Sequence, residues 1–212
     1  VDVGQTRDKS KHKGVSIAGL VRQAAERALA DAGCEWQDID ALVLGKAPDM
    51  FEGMTMPELY LTDALGGNGK PVIRVHTAGS VGGSTAIVAA NYVQSGRYNR
   101  VLTVTFEKQS ESNATWALSP RMPFVPHVNA GAGGFFAPYM RQYMETYKAP
   151  DHIGCMVAVK DRLNACRNPY AHLQIPNIDL AMVQQSPMLW EPLRFLESCP
   201  SSDGACALVI AN

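Results

Sequence analysis

Several features are missing from this sequence, and each absence removes a class of protein. Its five cysteines (Cys34, Cys155, Cys166, Cys199 and Cys206) are odd in number and form no C-x-x-C pair, so neither a disulfide framework nor a zinc site is indicated. No run of 18 apolar residues occurs and the first residues lack the pattern of a signal peptide; no membrane span is predicted, and a cytoplasmic location is expected. No long basic run occurs either. RDKSKHK at Arg7–Lys13 is short and reads as solvated surface, and the formal net charge is −1, so nucleic-acid binding has no electrostatic footprint. GSVGGS at Gly79–Ser84 does not fit the dinucleotide pattern G-x-G-x-x-G.

What remains is an ordinary globular composition, 46% hydrophobic and 18% charged over 212 residues, enough for one sizeable core or for a domain with a large insertion. Val15–Ala32 carries apolar residues at helical spacing and is ended by Gly33. Strands are predicted at Asp38–Gly45, Pro71–Val75 and Arg100–Phe106, alternating with helices at Pro57–Leu65 and Gly83–Gln94. That alternation predicts a layered α/β sheet with a parallel component. After Glu107 the texture changes to irregular prolines, with helices predicted at Phe136–Tyr147 and Ile153–Cys166, before CPSSDGACALVI at Cys199–Ile210 returns to a turn and an apolar strand. The economical division is a sheet domain (1–111 and 196–212) interrupted by a mostly helical insertion (112–195), which is too long for a plain loop.

The stretch from Arg74 to Gly96 runs from strand through a glycine-rich turn into a helix. Backbone N–H groups left open at a helix start favour negative charge, so a nucleophile or an oxyanion suits this place. Ser80 is the one nucleophilic side chain between Ala78 and Val81, and His76 precedes it by four residues. A serine hydroxyl needs an adjacent base, whereas a cysteine at a helix N-terminus would ionise readily. The plainer account of such a turn is a tight connection, and of His76 a structural histidine. Glu107 reads as a structural carboxylate binding loop N–H groups, Asp203 as the holder of a turn, and Cys199 and Cys206 as small core residues. Tyr139, Tyr143 and Tyr147 share one helix face, which reads as packing before a substrate wall. MPFVPHV at Met122–Val128 reads as a covering loop or the lining of an acyl cavity.

GSTA at Gly83–Ala86, FEKQS at Phe106–Ser110, NPY at Asn168–Tyr170 and CPSSDGACALVI together resemble the thiolase superfamily. Within it the resemblance is to the sterol carrier protein x type and to actinobacterial thiolase-like lipid-transfer proteins, often labelled acetyl-CoA acetyltransferases. It implies a thiolase-like N-terminal α/β half, a mixed, mostly parallel sheet with helices on both faces and an inserted helical loop domain. The family's first strand would precede Val1, and its C-terminal half, with the acid/base groups, would be absent. Aligned on GSTA, the family's nucleophilic cysteine falls on Ser80; aligned from Val75, it falls on Gly79.

The missing thiol turns the expectation from thiolysis to retro-aldol cleavage of an acyl-CoA thioester in sterol or lipid breakdown. Ser80, Gly79 and His76 are the expected catalytic residues, and Tyr139, Tyr170 and Asn168 the expected coenzyme A contacts. Coenzyme A enters as part of the substrate, with no metal and no tightly bound cofactor. The alternatives are an acetyl-CoA acetyltransferase using Ser80 and a non-catalytic acyl-CoA or lipid carrier. The resemblance also implies a homodimer through the Pro71–Val75 strand, and some relatives need an OB-fold partner protein.

Overall fold

The computed structural model describes residues 1–47, 51–119, 123–124 and 128–212. Met122 and the segment 125–127 of the proline-rich loop lie outside the described residues. The chain forms two compact units, Val1–Ser112 with Ser202–Asn212, and Asn113–Ser201. In the first, β1 (Asp2–Gln5), α1 (Ile17–Ala32), β2 (Ala41–Gly45), α2 (Pro57–Leu61), β3 (Val72–Val75), α3 (Val81–Gln94) and β4 (Arg100–Lys108) follow one another. The second holds α4 (Ala114–Ala117), α5 (Gly131–Tyr147), α6 (Ile153–Ala165), α7 (Leu180–Gln185) and a hairpin of β5 (Met188–Trp190) and β6 (Leu193–Arg194). The chain then re-enters the first unit as β7 (Asp203–Ala211).

The sheet has the order β1-β7-β4-β2-β3. Strands β3, β2 and β4 run parallel, with Gly45 opposite both Val75 and Thr105, while β7 lies antiparallel to β4 and β1. This is the α/β architecture that the alternating patterns predict. At the N-terminus the sequence reading placed no strand, yet β1 at Asp2–Gln5 pairs with β7. Only Gly4 of this short strand is buried, so no hydrophobic run announces it.

Each face of the sheet is covered by one long helix. Ser16 caps α1 by accepting the Gly19 N–H, and Gly33 closes it at φ 60, the left-handed geometry glycine adopts without steric cost. The face formed by Leu20, Val21, Ala24, Ala25, Ala28 and Leu29 packs on Leu42, Leu44, Leu102, Val104 and Val209. On the other side, Thr85, Ala89 and Val93 recur at a spacing of four and put one stripe of α3 against Val43, Val75, Val101 and Ile210. Gly45 makes that approach possible, because a Cβ there would lie 2.1 Å from Thr85 Oγ1 and 2.7 Å from Thr105 Cγ2.

In the second unit, α6 and α7 bury Cys155, Ala158 and Val183 with Ile178. Helix α5 begins at Gly131, ahead of the expected Phe136, through a run of poor helix formers. Its glycines have a packing reason: the ring of Trp190 lies 3.3 Å from where a Gly134 Cβ would stand. Cys199, expected in the core, is exposed. The tyrosines expected to pack are also exposed, Tyr139 at 66% and Tyr147 at 70%. Among the described residues no helix is long and apolar enough to cross a membrane.

Candidate active site

The carboxyl ends of β2, β3 and β4 and the start of α3 meet at one end of the sheet, where open α/β sheets place their chemistry. After β3, a single 3-10 turn (Ala78–Ser80) leads into α3. Ala78 holds φ 33, a strained value for a residue with a Cβ. His76, Thr77, Ala78, Gly79 and Ser80 are all exposed. A Cβ added at Gly79, Gly82 or Gly83 would meet nothing within 4 Å, so these glycines leave the outer side of the turn open.

The turn spends two of its amides on itself. Ser80 N–H donates to the Thr77 carbonyl at 3.0 Å, and Val81 N–H to that of Ala78. The Ser80 hydroxyl also donates to the Thr77 carbonyl, at 2.9 Å. Ser80 therefore has its proton on a carbonyl oxygen instead of a base. His76 and Ser80 form no hydrogen bond with each other. The His76 Nδ1 lies 3.2 Å from the Lys46 carbonyl. A carbonyl only accepts, so Nδ1 carries the proton in this contact and, in the neutral ring, Nε2 keeps a lone pair.

A buried charge cluster, which the sequence reading missed apart from Glu107, ties these strand ends together. Lys46 is fully buried immediately after β2. Its Nζ lies 2.5 Å from Glu52 and 3.3 Å from Glu107. Glu107 also accepts the Ala47 N–H at 2.6 Å, which is its expected loop-binding role. Glu52 accepts the Lys108 N–H at 2.7 Å. The rings of Phe51 and Phe106 flank the ammonium at 5.7 and 5.9 Å. Two carboxylates around one ammonium leave an excess negative charge. Burial foremost, with Glu52 nearby, raises the Glu107 carboxyl to about 7 against the opposing pull of Lys46 and the Ala47 N–H. The sequence signal for this cluster was slight: a lysine directly after the all-apolar ALVLG.

Glu107 lines a cavity of about 300 Å³ with Val81 and Gly82 of α3, Thr105, Asp8 and Cys206. The Cys206 thiol is raised by burial and by Asp8, so it is poorly suited to replace the absent nucleophile. Asp203 holds no turn of its own. Fully buried, it accepts from Ser110 N–H and hydroxyl at 2.9 and 2.7 Å and from His12 N–H at 2.9 Å, joining two distant segments.

In the second unit, Tyr139 lines a mostly apolar cavity of about 730 Å³ with Phe136, Tyr143, Val157, Leu193 and Leu196. Asn168 and Tyr170 are not among its lining residues. Asn168 Oδ1 instead accepts the Tyr170 N–H at 2.9 Å, a local turn contact. Among the described residues no group of three or more His, Cys, Asp or Glu side chains could hold a metal.

No protein-family model matches the chain. Whole-chain comparison finds a steroid side-chain-cleaving aldolase of Thermomonospora curvata, 31% identical over 96% of this chain and 54% of the relative. It also finds sterol carrier protein 2 of Gallus gallus, 25% identical over 100% of this chain and 40% of the relative. Among solved structures, the Ltp2-ChsH2(DUF35) aldolase superposes with a TM-score of 0.80 at 29% identity, over 99% of this chain and 54% of that one. The chain thus spans about half the length of the relatives it matches. Its homologues are sterol carrier protein 2 and steroid side-chain-cleaving aldolase proteins, and its fold is thiolase-like.

Proposed function

We propose that the protein cleaves a carbon–carbon bond in an acyl-CoA thioester by retro-aldol chemistry on a sterol-derived or other lipid side chain. The observation that carries this reading is the turn itself: it keeps the exposed strand-to-helix geometry of an oxyanion site while its one hydroxyl is spent on a carbonyl. In the reaction a base removes the β-hydroxyl proton, the Cα–Cβ bond breaks, and the β-carbon leaves as a carbonyl. The electron pair becomes a thioester enolate, which is protonated at Cα to give a shorter acyl-CoA. No covalent acyl-enzyme is needed.

Two groups at this turn suit the work. The bonds closing the turn come from the Ser80 and Val81 amides, so the Gly79 N–H is the donor proposed for the enolate oxygen. His76, anchored through Nδ1, offers Nε2 as a proton acceptor. Ser80 is assigned to holding the turn. The apolar cavity beside Tyr139 is the proposed seat for part of the acyl-CoA, with coenzyme A as substrate and no resident cofactor. The solved relative is named as an assembly with a second protein, and an analogous partner is proposed here. Strand β3 ends the sheet, which supports a homodimer paired along that edge. A cytoplasmic location accords with this chemistry.

The test supplies the full-length protein, alone and with the partner, with a tertiary β-hydroxyacyl-CoA. Release of a ketone and a shortened acyl-CoA, without acyl label on Ser80 by mass spectrometry, is the expected result. An acyl group trapped on Ser80 from acetyl-CoA would instead establish the acyltransferase reading.

A further inference from the structure

The segment Arg7–Lys13, which composition alone reads as a solvated stretch, is fixed as one wall of a cavity. Lys9 and Asp203 exchange both backbone hydrogen bonds, at 3.2 and 2.7 Å. His12 N–H donates to Asp203 Oδ2 at 2.9 Å, and the His12 Nε2 lies 2.7 Å from the Arg7 carbonyl. Gly14, at φ 75, then turns the chain toward the start of α1. On this backbone Arg7, Lys9, Lys11 and Lys13, with Arg27 of α1, surround a cavity of about 460 Å³ that Thr6 and Val15 also line.

Five of the 19 lysines and arginines of a chain with net charge −1 therefore face one space. Among the described residues none of the five enters an ion pair. Arg27 donates to the neutral carbonyl of Gln5. The neighbouring carboxylates serve other partners: Asp203 takes Ser110 and His12, Glu26 pairs with Arg22, and Asp31 accepts the Val3 N–H. Asp8 lines the other cavity, beside Val81. Like charges gathered in this way repel one another within a Debye length of ~10 Å at 0.1 M salt.

We propose that this cavity binds a small molecule carrying two or more phosphate groups. Its volume suits a diphosphate or a nucleotide bisphosphate better than a lone ion, since small-molecule pockets begin at roughly 300 Å³. Cations arrayed around the space match several negative charges. No Phe, Tyr or Trp is among the residues lining it, and the His12 ring is held by the Arg7 carbonyl, so it offers phosphate recognition without the row of stacking rings that single-stranded nucleic acid uses. The site lies on the α1 face of the sheet and shares no residue with the turn at Ala78–Ser80.

Calorimetric titration of the full-length protein with inorganic pyrophosphate, adenosine 3′,5′-bisphosphate and coenzyme A tests this, at about 50 and about 200 mM salt. The expected result is one pyrophosphate per chain, bound more weakly at the higher salt. Affinity should fall at least about tenfold in Lys11→Glu/Lys13→Glu, because two of five counter-charges are reversed, and hold in the exposed control Lys160→Glu. Coenzyme A binding lost with pyrophosphate binding assigns the site to the nucleotide end of a coenzyme; coenzyme A binding unchanged assigns it to free phosphates. No pyrophosphate binding at millimolar concentration, or an equal loss in Lys160→Glu, overturns the proposal.

Discussion

Replacing Glu107 by glutamine tests whether the buried cluster at the strand ends stores an ionisation cost. In the folded chain the Glu107 carboxyl sits at about 7, above its ordinary 4.5. Lys46 and Glu52 are the charged groups against it, and Asp8 and Cys206 share its cavity. A raised carboxyl binds its proton more tightly folded than unfolded. Its contribution is fully retained below about pH 4.5 and lost as pH rises to about 7. At ~1.4 kcal/mol per unit, ionising it in place costs on the order of 3 kcal/mol, of which about 2 falls between pH 5.5 and neutrality. Glutamine keeps an oxygen for the Ala47 N–H and leaves Lys46 paired with Glu52 alone, an electrically neutral arrangement. Glu107→Gln should therefore match the parent near pH 5.5 and exceed it at about pH 8 by on the order of 2 kcal/mol. Urea unfolding at the two pH values, followed by the fluorescence of Trp36 beside the main core, reads this directly. An unchanged pH slope in the variant would refute the reasoning.

Gly45→Ala should destabilise the sheet unit by about 1–3 kcal/mol, since the new methyl would stand 2.1 Å from Thr85 Oγ1; wild-type thermal stability would remove the claim that Gly45 sets the helix approach. Asp203→Ala should cost about 3 kcal/mol or more by leaving Ser110 and His12 without their acceptor, and should speed tryptic cleavage within Arg7–Lys13; unchanged proteolysis would show that the loop is held by other contacts. Ser80→Ala should keep turnover within about threefold, whereas a loss of a hundredfold or more would identify the hydroxyl as a reacting group. In Ser80→Cys the new thiol, exposed at a helix start, should be alkylated faster than the half-buried Cys206, and equal rates would speak against anion stabilisation at the turn.

Elements with a strong period could be read from the chain alone. Helix α1 carries its apolar stripe, its Ser16 cap and its Gly33 stop in consecutive residues, and β4 is a run of β-branched and apolar residues from Val101 to Phe106. β1, α7 and the β5–β6 hairpin span too few residues to show a period. The turn at Gly79–Ser80 was legible because glycine and serine there serve a local backbone need. Whether His76 meets Ser80 was not, because the ring is oriented by a carbonyl 30 positions away.

The sequence by itself determined the alternation of strand and helix, the strand-to-helix turn and the absence of a thiol in it, since each is written in neighbouring residues. Tertiary structure alone decided that Lys46 and Glu107, 61 positions apart, meet in the interior, and that Arg27 faces the cations of Arg7–Lys13. Charges act through space, and their separation is set by which strands pair and which helix covers them, a fact no local pattern carries.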